Sequence, residues 1–366
     1  MINIKDIINY LKNYQGPQVK LMEVCGTHTG SIFKHGINSL ISPKIRLISG
    51  PGCPVCVTPA NFIDQAVDYA CQPDFVFCTY GDMMRVPGTK ANITLKDGKA
   101  AGAQVEMIYS PLEVLEKAAA MPQKTFIIGA VGFETTVPLY ALLLEEMENR
   151  GIKNIKFLTA LKTIAPAMAW ICQNEKGNRS IDGFLCPGHV SVVMGENIYQ
   201  DLVHQYQKPC AIAGFSAEHI LAAIYDLVRQ IETQRGEIHN LYREVVKPEG
   251  NVQAQKLMER FFSPVEAHWR GLGKIPGSGL KLREQYQEFD LGFEGMSTLE
   301  EDSRCRCGSI ITGSITPDQC LLFGTACTPN NPQGPCMVST EGTCGIWAQH
   351  MLKKKKNWQQ EVGKEG

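Results

Sequence analysis

Cysteine is the residue type that dominates the possible chemistry of this chain. Its 366 residues include 14 cysteines, and a Gly/Pro-rich segment after Glu300 contains several of them. The cysteines of this segment are Cys305, Cys307, Cys320, Cys327, Cys336 and Cys344. Thiolates in such number select zinc or an iron–sulfur cluster over hard cations. So polar a segment cannot bury a core by itself, and we expect a bound metal to stabilise it.

The spacing of the last four cysteines favours a cluster. Structural zinc sites usually contain two close pairs such as C-x2-C, whereas six to eight residues separate these cysteines from one another. Gly/Pro-rich loops of this length can surround a cubic cluster, and their backbone N–H groups can donate to its sulfurs. We therefore predict an iron–sulfur cluster on Cys320, Cys327, Cys336 and Cys344. Zinc and buried free thiols remain alternatives, and either residue of the Cys305/Cys307 pair is an alternative ligand.

A further cysteine pair, in Cys53-Pro54-Val55-Cys56, stands between a predicted strand and a predicted helix. The N-terminus of a helix lowers the pKa of a nearby thiol, which suits a pair to forming and breaking a disulfide. The alternative is half of a zinc site, but the chain contains no second C-x-x-C. Redox chemistry or a shared-ligand role is therefore the favoured interpretation of Cys53 and Cys56.

Three loops place reactive side chains directly after predicted strands. Cys25 and His28 lie in CGTHT, Glu134 lies in GFETT, and His189 lies in PGHVS. Ligands of open α/β sheets gather outside the carboxyl ends of the strands. The alternatives are a buried cysteine beside a satisfied histidine, a charge at a helix N-terminus, and a core histidine. Because all three loops follow predicted strands, we favour the functional interpretation and expect these side chains to face one cleft between two domains.

Predicted strands alternate with helical patterns, which indicates parallel sheets joined by crossover helices. The predicted strands are 19–25, 44–49, 74–80, 125–131, 155–161, 183–188 and 211–215. We predict an α/β fold with two similar α/β domains and a C-terminal Cys-rich iron–sulfur unit. The predicted boundaries are 1–115, 120–235 and 240–366, and the last range begins with a helical segment.

Composition and charge narrow the possible partners and location. Apolar residues make up 44% of the chain and charged residues 20%, and the net charge is −1, which gives no electrostatic reason to expect nucleic acid. The sequence contains no run of 18 apolar residues, so no membrane span is predicted. The amphipathic N-terminus lacks the features of a signal peptide, and we expect a cytoplasmic protein with reduced thiols.

Taken together and in order, the motifs resemble the HypD family of [NiFe] hydrogenase maturation factors. The motifs are CGTHT (25–29), GPGCPVC (50–56), GFETT (132–136), PGHVS (187–191) and the tail CRCG…CLLFGTACTPNNPQGPCMVSTEGTC. The resemblance covers nearly the whole chain. It implies two similar α/β domains, a C-terminal unit with a [4Fe–4S] cluster, and a role in building the Fe(CN)2CO group. It also implies two partners, a HypC-type small chaperone and a HypE-type cyanide carrier.

The resemblance further implies roles for individual residues. Cys25 would hold the nascent, transient Fe(CN)2CO iron together with a cysteine of the chaperone, and His28 would lie beside that iron. Cys53 and Cys56 would be a redox-active pair between the iron and the cluster. The implied protein is an assembly scaffold with redox activity rather than a conventional turnover enzyme. A cluster-dependent thiol–disulfide reductase and a zinc-stabilised binding module are the competing hypotheses.

Overall fold

The computed structural model describes residues 3–90, 93–174, 180–295 and 305–351. Within these ranges the strands β1 to β11 are Val19–Glu23, Ile45–Ser49, Phe75–Thr79, Val105–Met107, Thr125–Gly132, Ile155–Lys162, Gly183–Pro187, Cys210–Ala213, Ile238–Asn240, Phe262–Trp269 and Gly273–Leu282. The helices α1 to α14 are Ile4–Lys12, Gly26–Lys34, Pro54–Val57, Asn61–Ala70, Leu95–Ala100, Glu113–Ala120, Val137–Arg150, Ile164–Gln173, Gly188–Met194, Gln200–His204, Ala217–Glu232, Val252–Phe261, Cys307–Ile311 and Pro335–Val338. Short 3-10 helices are Ile37–Ser39, Gly81–Arg85, Asn197–Tyr199, Glu284–Phe289 and Pro317–Gln319.

The strands form two sheets. Sheet A has the order β2-β1-β7-β8-β9, and all its pairs are parallel. Sheet B has the order β10-β11-β6-β5-β3-β4; its four strands from β6 to β4 are parallel, and the hairpin β10–β11 adds to β6 in antiparallel orientation. The predicted α/β class, with mainly parallel sheets and a Cys-rich C-terminal region, is confirmed.

The division of the chain between the sheets differs from the predicted domain boundaries. Sheet A takes β1 and β2, sheet B takes β3 to β6, and the chain then returns to sheet A for β7 to β9. The ranges 1–115 and 120–235 therefore each contribute strands to both sheets. Local hydrophobic patterns indicate that a strand exists, but pairing with distant strands decides which sheet it joins. The range 240–366 adds the hairpin to sheet B, and its residues 296–304 and 352–366 lie outside the described part.

Alternate residues of the strands face different apolar cores. In β7, Phe184 belongs to a core shared by both sheets, whereas Leu185 faces the core that includes α1 and α11. In β5, Ile127 belongs to the shared core and Ile128 to the core that includes α6 and α7. This alternation follows from the two-residue period of a strand. Both faces of each sheet are covered, as parallel sheets require.

Two features of the chain differ from the local prediction. The C-x-x-C segment forms its own short helix, α3, with Cys53 at the N-cap, and the next helix begins only at Asn61. The Gly/Pro-rich segment near residue 275 is the strand β11, and a register shift between Val265 and Ala267 accommodates the hairpin. Glycine and proline indicate turns in most contexts, but they also occur in edge hairpins that contain a β-bulge. The sequence pattern therefore did not predict β11. Among the described residues, no helix combines the length and apolar character that crossing a membrane would need.

Candidate functional site

A buried carboxyl group fixes the loop that carries Cys25. β1 ends at Glu23, and Cys25 occupies the N-cap position of α2. The backbone N–H of Cys25 donates to Glu23 Oε2 (3.1 Å), and the hydroxyl of Thr29 donates to Glu23 Oε1. Burial raises the pKa of Glu23 to about 8. The two hydrogen bonds of the Glu23 carboxyl group thus connect the end of β1 to the first turns of α2.

The Cys25 thiol is isolated from solvent. Cys25 is only 7% exposed. Burial raises the pKa of Cys25 to about 12, and the backbone N–H groups of His28 and Thr27 partly oppose this effect. A thiol in such surroundings keeps its proton until a soft metal displaces it.

The His28 side chain is neutral and has one ring nitrogen without a partner. Its Nε2 lies 3.3 Å from the carbonyl oxygen of Ala213 and 3.2 Å from that of Gly214. Because carbonyls only accept, Nε2 carries the proton, and the buried Nδ1 lone pair meets no hydrogen-bond donor among the described atoms. Burial lowers the pKa of His28 to about 4. The ring of Phe215 stands 4.8 Å from that of His28 and 4.1 Å from that of His189, which is more exposed.

The Cys53–Cys56 pair lies directly beside the Cys25 loop. The two cysteines form a disulfide with their Cα atoms 5.3 Å apart, and Cys56 N donates to Cys53 Sγ (3.2 Å). Gly52 makes the approach possible, because a Cβ there would lie 2.3 Å from the backbone nitrogen of Cys25. Gly26 N also donates to Gly52 O (3.4 Å). The structure therefore brings Cys25 and the predicted redox pair together.

The six C-terminal cysteines surround one cavity. It is lined by Cys305, Cys307, Cys320, Cys327, Cys336 and Cys344, with apolar neighbours such as Ile310 and Phe323. Backbone N–H groups donate to two of the sulfurs: Gln333 N to Cys327 Sγ (3.4 Å) and Cys344 N to Cys336 Sγ (3.5 Å). In the described ranges, no three His, Cys, Asp or Glu side chains converge on a point where a single ion could sit.

The segment between Cys336 and Cys344 joins this cavity to the sheets. Helix α14, which contains Cys336, packs against α3, and both disulfide cysteines, Cys336 and Glu341 line a small cavity. Thr27 Oγ1, near the end of β1 in sheet A, donates to Glu341 Oε1 (3.2 Å). Ser339 Oγ donates to a carboxylate oxygen beyond the end of β3 in sheet B, Asp82 Oδ2 (2.9 Å). Cys336 of the C-terminal unit thereby comes next to the disulfide.

Glu134 occupies a different place. It follows β5 as predicted and is 2% exposed. Its Oε1 accepts from the N–H of Ile164 at the start of α8 (2.8 Å), and its Oε2 has no partner in the described part of the chain. Burial raises the pKa of Glu134 to about 7. No described contact joins Glu134 to Cys25, whereas His28 and His189 share the same phenylalanine.

Three residues of the site were not predicted. Glu23 gave a usable signal, since it is a charged residue inside an otherwise apolar strand pattern. Phe215 and Glu341 gave none, because an isolated aromatic ring or carboxylate in a loop has many ordinary roles. Only the tertiary contacts reveal their positions beside His28 and Thr27.

The same succession of motifs is found in a known family. A sequence model of HypD, described as the hydrogenase formation hypA family, matches residues 3–351. The chain belongs to the HypD family. It is 42% identical over 338 residues to the hydrogenase maturation factor HypD of Azotobacter vinelandii, covering 90% of this chain and 89% of that protein. It is 39% identical over 336 residues to the HypD of Escherichia coli (strain K12), covering 91% and 89%.

A third HypD relative has a different name. The hydrogenase expression/formation protein HupD of Azotobacter chroococcum mcd 1 is 43% identical over 339 residues, covering 90% of this chain and 89% of that protein. The printed names of all three relatives refer to hydrogenase maturation or formation. The HypD resemblance inferred from the motifs is confirmed.

Proposed function

We propose that this chain is a hydrogenase maturation factor that serves as the scaffold on which the Fe(CN)2CO group is assembled. The observation that carries the proposal is the adjacency of three thiol sites: Cys25, the Cys53–Cys56 disulfide and the C-terminal cysteines. Iron is the substrate here. Its first protein ligand is the Cys25 thiolate, and the second is a cysteine of a HypC-type small chaperone.

The surroundings of Cys25 suit a low-spin iron that carries cyanide and CO. A soft thiolate is an appropriate anchor for such iron, and burial excludes water from the site. The Nε2–H of His28 is held by two backbone carbonyls, and its unprotonated Nδ1 meets no donor among the described atoms. In this proposal His28 lies beside the iron and its Nδ1 acts only as a proton or hydrogen-bond acceptor, and His189 lies on the more exposed side of the same phenylalanine ring.

The C-terminal cysteines fit a resident [4Fe–4S] cluster. A structural zinc ion needs four ligands about 2.0–2.3 Å from one point, whereas a cubic cluster places each thiolate on a different iron. Thiols spread around an apolar cavity, with backbone N–H donors to sulfur, match the second arrangement. Our proposed ligands are Cys320, Cys327, Cys336 and Cys344. When bound, the cluster would supply electrons one at a time.

Cys53 and Cys56 have a defined task in this scheme. Cyanide delivered by a HypE-type carrier as a thiocyanate must be released reductively. Two thiols react with the thiocyanate to give the Cys53–Cys56 disulfide, the carrier thiol and hydrogen cyanide. This step balances two electrons and two protons. The cyanide is released beside Cys25, because Gly52 holds the two loops in contact.

A general thiol–disulfide reductase is less well supported. Such an enzyme must present its active thiol to protein disulfides, as the reactive cysteines of redox enzymes are partly exposed. Here Cys53 is 5% exposed and Cys56 only 1%, so the disulfide of a folded protein cannot reach them, whereas the thiocyanate step requires access only for a terminal S–CN group. A cytoplasmic location, where thiols remain reduced, belongs to the same proposal.

The decisive experiment is infrared spectroscopy of the anaerobic complex with its chaperone. The unmodified chain should show cyanide and CO stretching bands, and Cys25→Ala should lose them while it retains the iron of its cluster. Cys78→Ala is the matched control, since Cys78 is also buried but lies within β3 of sheet B. Retention of the bands in Cys25→Ala would refute the anchor role.

A further inference from the structure

A large cavity opens away from the cysteines, where the hairpin β10–β11 separates from β6. In the described residues, β11 pairs with β6 at two positions, Lys162 and Leu161. The following segment returns to β6 further along, where Leu291 N donates to Phe157 O (2.9 Å). The space between measures about 410 Å³, within the range of small-molecule sites. Its lining includes Thr159, Lys162, His268, Lys274, Lys281 and Asp290.

The most unusual group in this lining is the Lys162 side chain. Lys162 is 2% exposed. Its Nζ donates to the backbone carbonyl of His268 (2.9 Å) and lies 5.6 Å from the ring centroid of Trp269. Within the part of the chain that the structure describes, no carboxylate oxygen lies within ion-pair distance of Nζ. A buried ammonium without an anion is unfavourable, and it either loses its proton or acquires a counter-ion.

Most of the other charged side chains in the lining lie near a side chain of opposite charge. Lys274 Nζ lies 3.2 Å from Glu266 Oε1. Lys281 stands close enough to Asp290 to oppose the rise in its pKa that burial causes. Among the described lining residues, Lys162 is thus the cation that lacks an opposite charge.

His268 also contributes to the cavity lining. The Nδ1 of His268 is buried and has no hydrogen-bond partner among the described atoms. His268 stands close enough to Lys162 for the lysine charge to lower its pKa, although burial is the larger cause. An N–H at Nδ1 can donate to an oxygen that also contacts Lys162.

We propose that this cavity binds a small molecule through an oxyanion, a carboxylate or a phosphate, held by Lys162 and His268. The oxyanion would supply the missing counter-charge and accept from both side chains. Among the described residues, the lining of this cavity contains no cysteine.

The proposal implies that binding depends on pH. Burial lowers the pKa of Lys162 to about 7, and an anion favours the protonated amine. Binding should therefore take up protons and weaken as the pH rises above about 7. The groups that modulate this titration are His268 and Glu266 on β10, Lys274 and Lys281 on β11, and Asp290 and Glu294 on the segment that follows.

Pyridoxal phosphate is a suitable probe, because it carries a phosphate and an aldehyde that condenses with an unprotonated amine. The imine formed with loss of water is reduced with cyanoborohydride, and the modified lysine is identified by peptide mass spectrometry of the full chain. We expect the probe to reach Lys162 through the cavity that this residue lines, and to label it at least tenfold faster than the exposed Lys256, which lies outside that lining. Protection by inorganic phosphate identifies a phosphate site, and protection by malonate identifies a carboxylate site.

Variants separate binding from labelling. Lys162→Arg keeps the charge and should still bind phosphate or malonate in calorimetry, although it cannot be labelled. Lys162→Met should bind at least tenfold more weakly, and Lys256→Met, at an exposed position of α12 outside the cavity lining, should resemble the unmodified chain. Labelling spread over exposed lysines without protection by either anion would overturn the proposal, as would equal binding by the Arg and Met variants. If Lys162→Met does not fold, the labelling pattern and the Arg variant decide.

Discussion

The carboxyl ends of the two sheets both bury polar groups, but of opposite kinds. At sheet A these are a thiol and an imidazole, Cys25 and His28, which are neutral when buried. At sheet B they are Glu134 and Lys162, whose ordinary state is charged and whose pKa values burial brings to about 7. Similar strand-end positions in two mainly parallel sheets thus carry side chains suited to soft-metal ligation in one case and groups that titrate near neutral pH in the other.

The segments that cover the two ends explain the difference. The C-terminal unit reaches the end of sheet A through Glu341 and places its cysteines beside the Cys53–Cys56 disulfide. The hairpin β10–β11 covers Lys162 with a backbone carbonyl and the ring of Trp269. A strand end offers a position for a functional group, and the later covering segment determines what chemistry that group can perform.

The largest expected effect tests whether the C-terminal cysteines serve only the sheet A site. Cys336→Ala removes a proposed cluster ligand that also lines the disulfide cavity. We expect the iron content to fall from about four per chain to near zero, with loss of the brown colour, because a cluster needs its thiolates. Iron analysis and visible spectra measure this. Phosphate or malonate binding at Lys162 should be unchanged.

The same assay ranks the remaining cysteines. Cys320→Ala, Cys327→Ala and Cys344→Ala should behave like Cys336→Ala, whereas Cys305→Ala and Cys307→Ala should keep the cluster. A cluster that survives Cys320→Ala but not Cys305→Ala would move one ligand position to the spare pair.

A smaller effect is expected from Gly52→Ala. Its Cβ would lie 2.3 Å from Cys25 N and from the carbonyl carbon of Val24, so the two loops must separate. Overpacking of this kind typically costs about 1–3 kcal/mol of unfolding free energy. We also expect at least tenfold less iron with cyanide and CO bands, at an unchanged cluster content. Denaturant unfolding and infrared spectra measure the two effects.

Gly30→Ala is the matched control for Gly52→Ala. Gly30 lies within α2, and nothing stands within 4 Å of its Cβ position. Alanine there should stabilise the chain by about 0.5–1 kcal/mol and leave the infrared bands intact. Equal band intensities in the two variants would show that the close approach of Gly52 does not matter.

The third prediction concerns the pH dependence of stability at sheet B. The pKa of Glu134 is raised from 4.5 to about 7 by burial. The folded chain therefore binds this proton more tightly than the unfolded chain. The stability due to protonated Glu134 is complete below the unfolded pKa and is lost as the pH rises through the folded value. Glu134→Gln should thus gain about 2–3 kcal/mol relative to the unmodified chain between pH 4.5 and 8.

Denaturant unfolding of both chains at matched pH values isolates this effect, because other titrating groups cancel in the difference. The exposed Glu249→Gln should follow the unmodified chain at every pH. A pH-independent difference for Glu134→Gln would mean that Glu134 stays ionised in the folded chain.

Local patterns predicted much of the fold and part of the site. The strand before Cys25 and the strand before Glu134 follow from short-range periodicity, and the structure has them. The hairpin strands were missed because glycines and a proline interrupt the pattern of β11, and a proline and polar residues interrupt that of β10. The alternation of the chain between sheets was missed because strand partners are far apart along it.

The site shows the same limit. Cysteines can be recognised by type and spacing, so the thiol sites were predicted. The burial of Lys162 was not predicted, because a single lysine at the end of an apolar strand is usually exposed to solvent. Only the hairpin, more than 100 residues later in the chain, buries it against Trp269.

The alternation of the chain between the two sheets has a consequence for synthesis on the ribosome. β1 and β2 cannot complete sheet A until β7 emerges, roughly 130 residues later, which at ~5–20 residues per second takes on the order of 10 s. The parallel strands β3 to β6 are contiguous and can pair during that interval. The loop with Cys25 and the C-x-x-C segment thus stay uncovered until the last residues are made. A metal ion or an oxidant that is present during synthesis would contact these thiols before the two loops pack together at Gly52 and the C-terminal unit covers them.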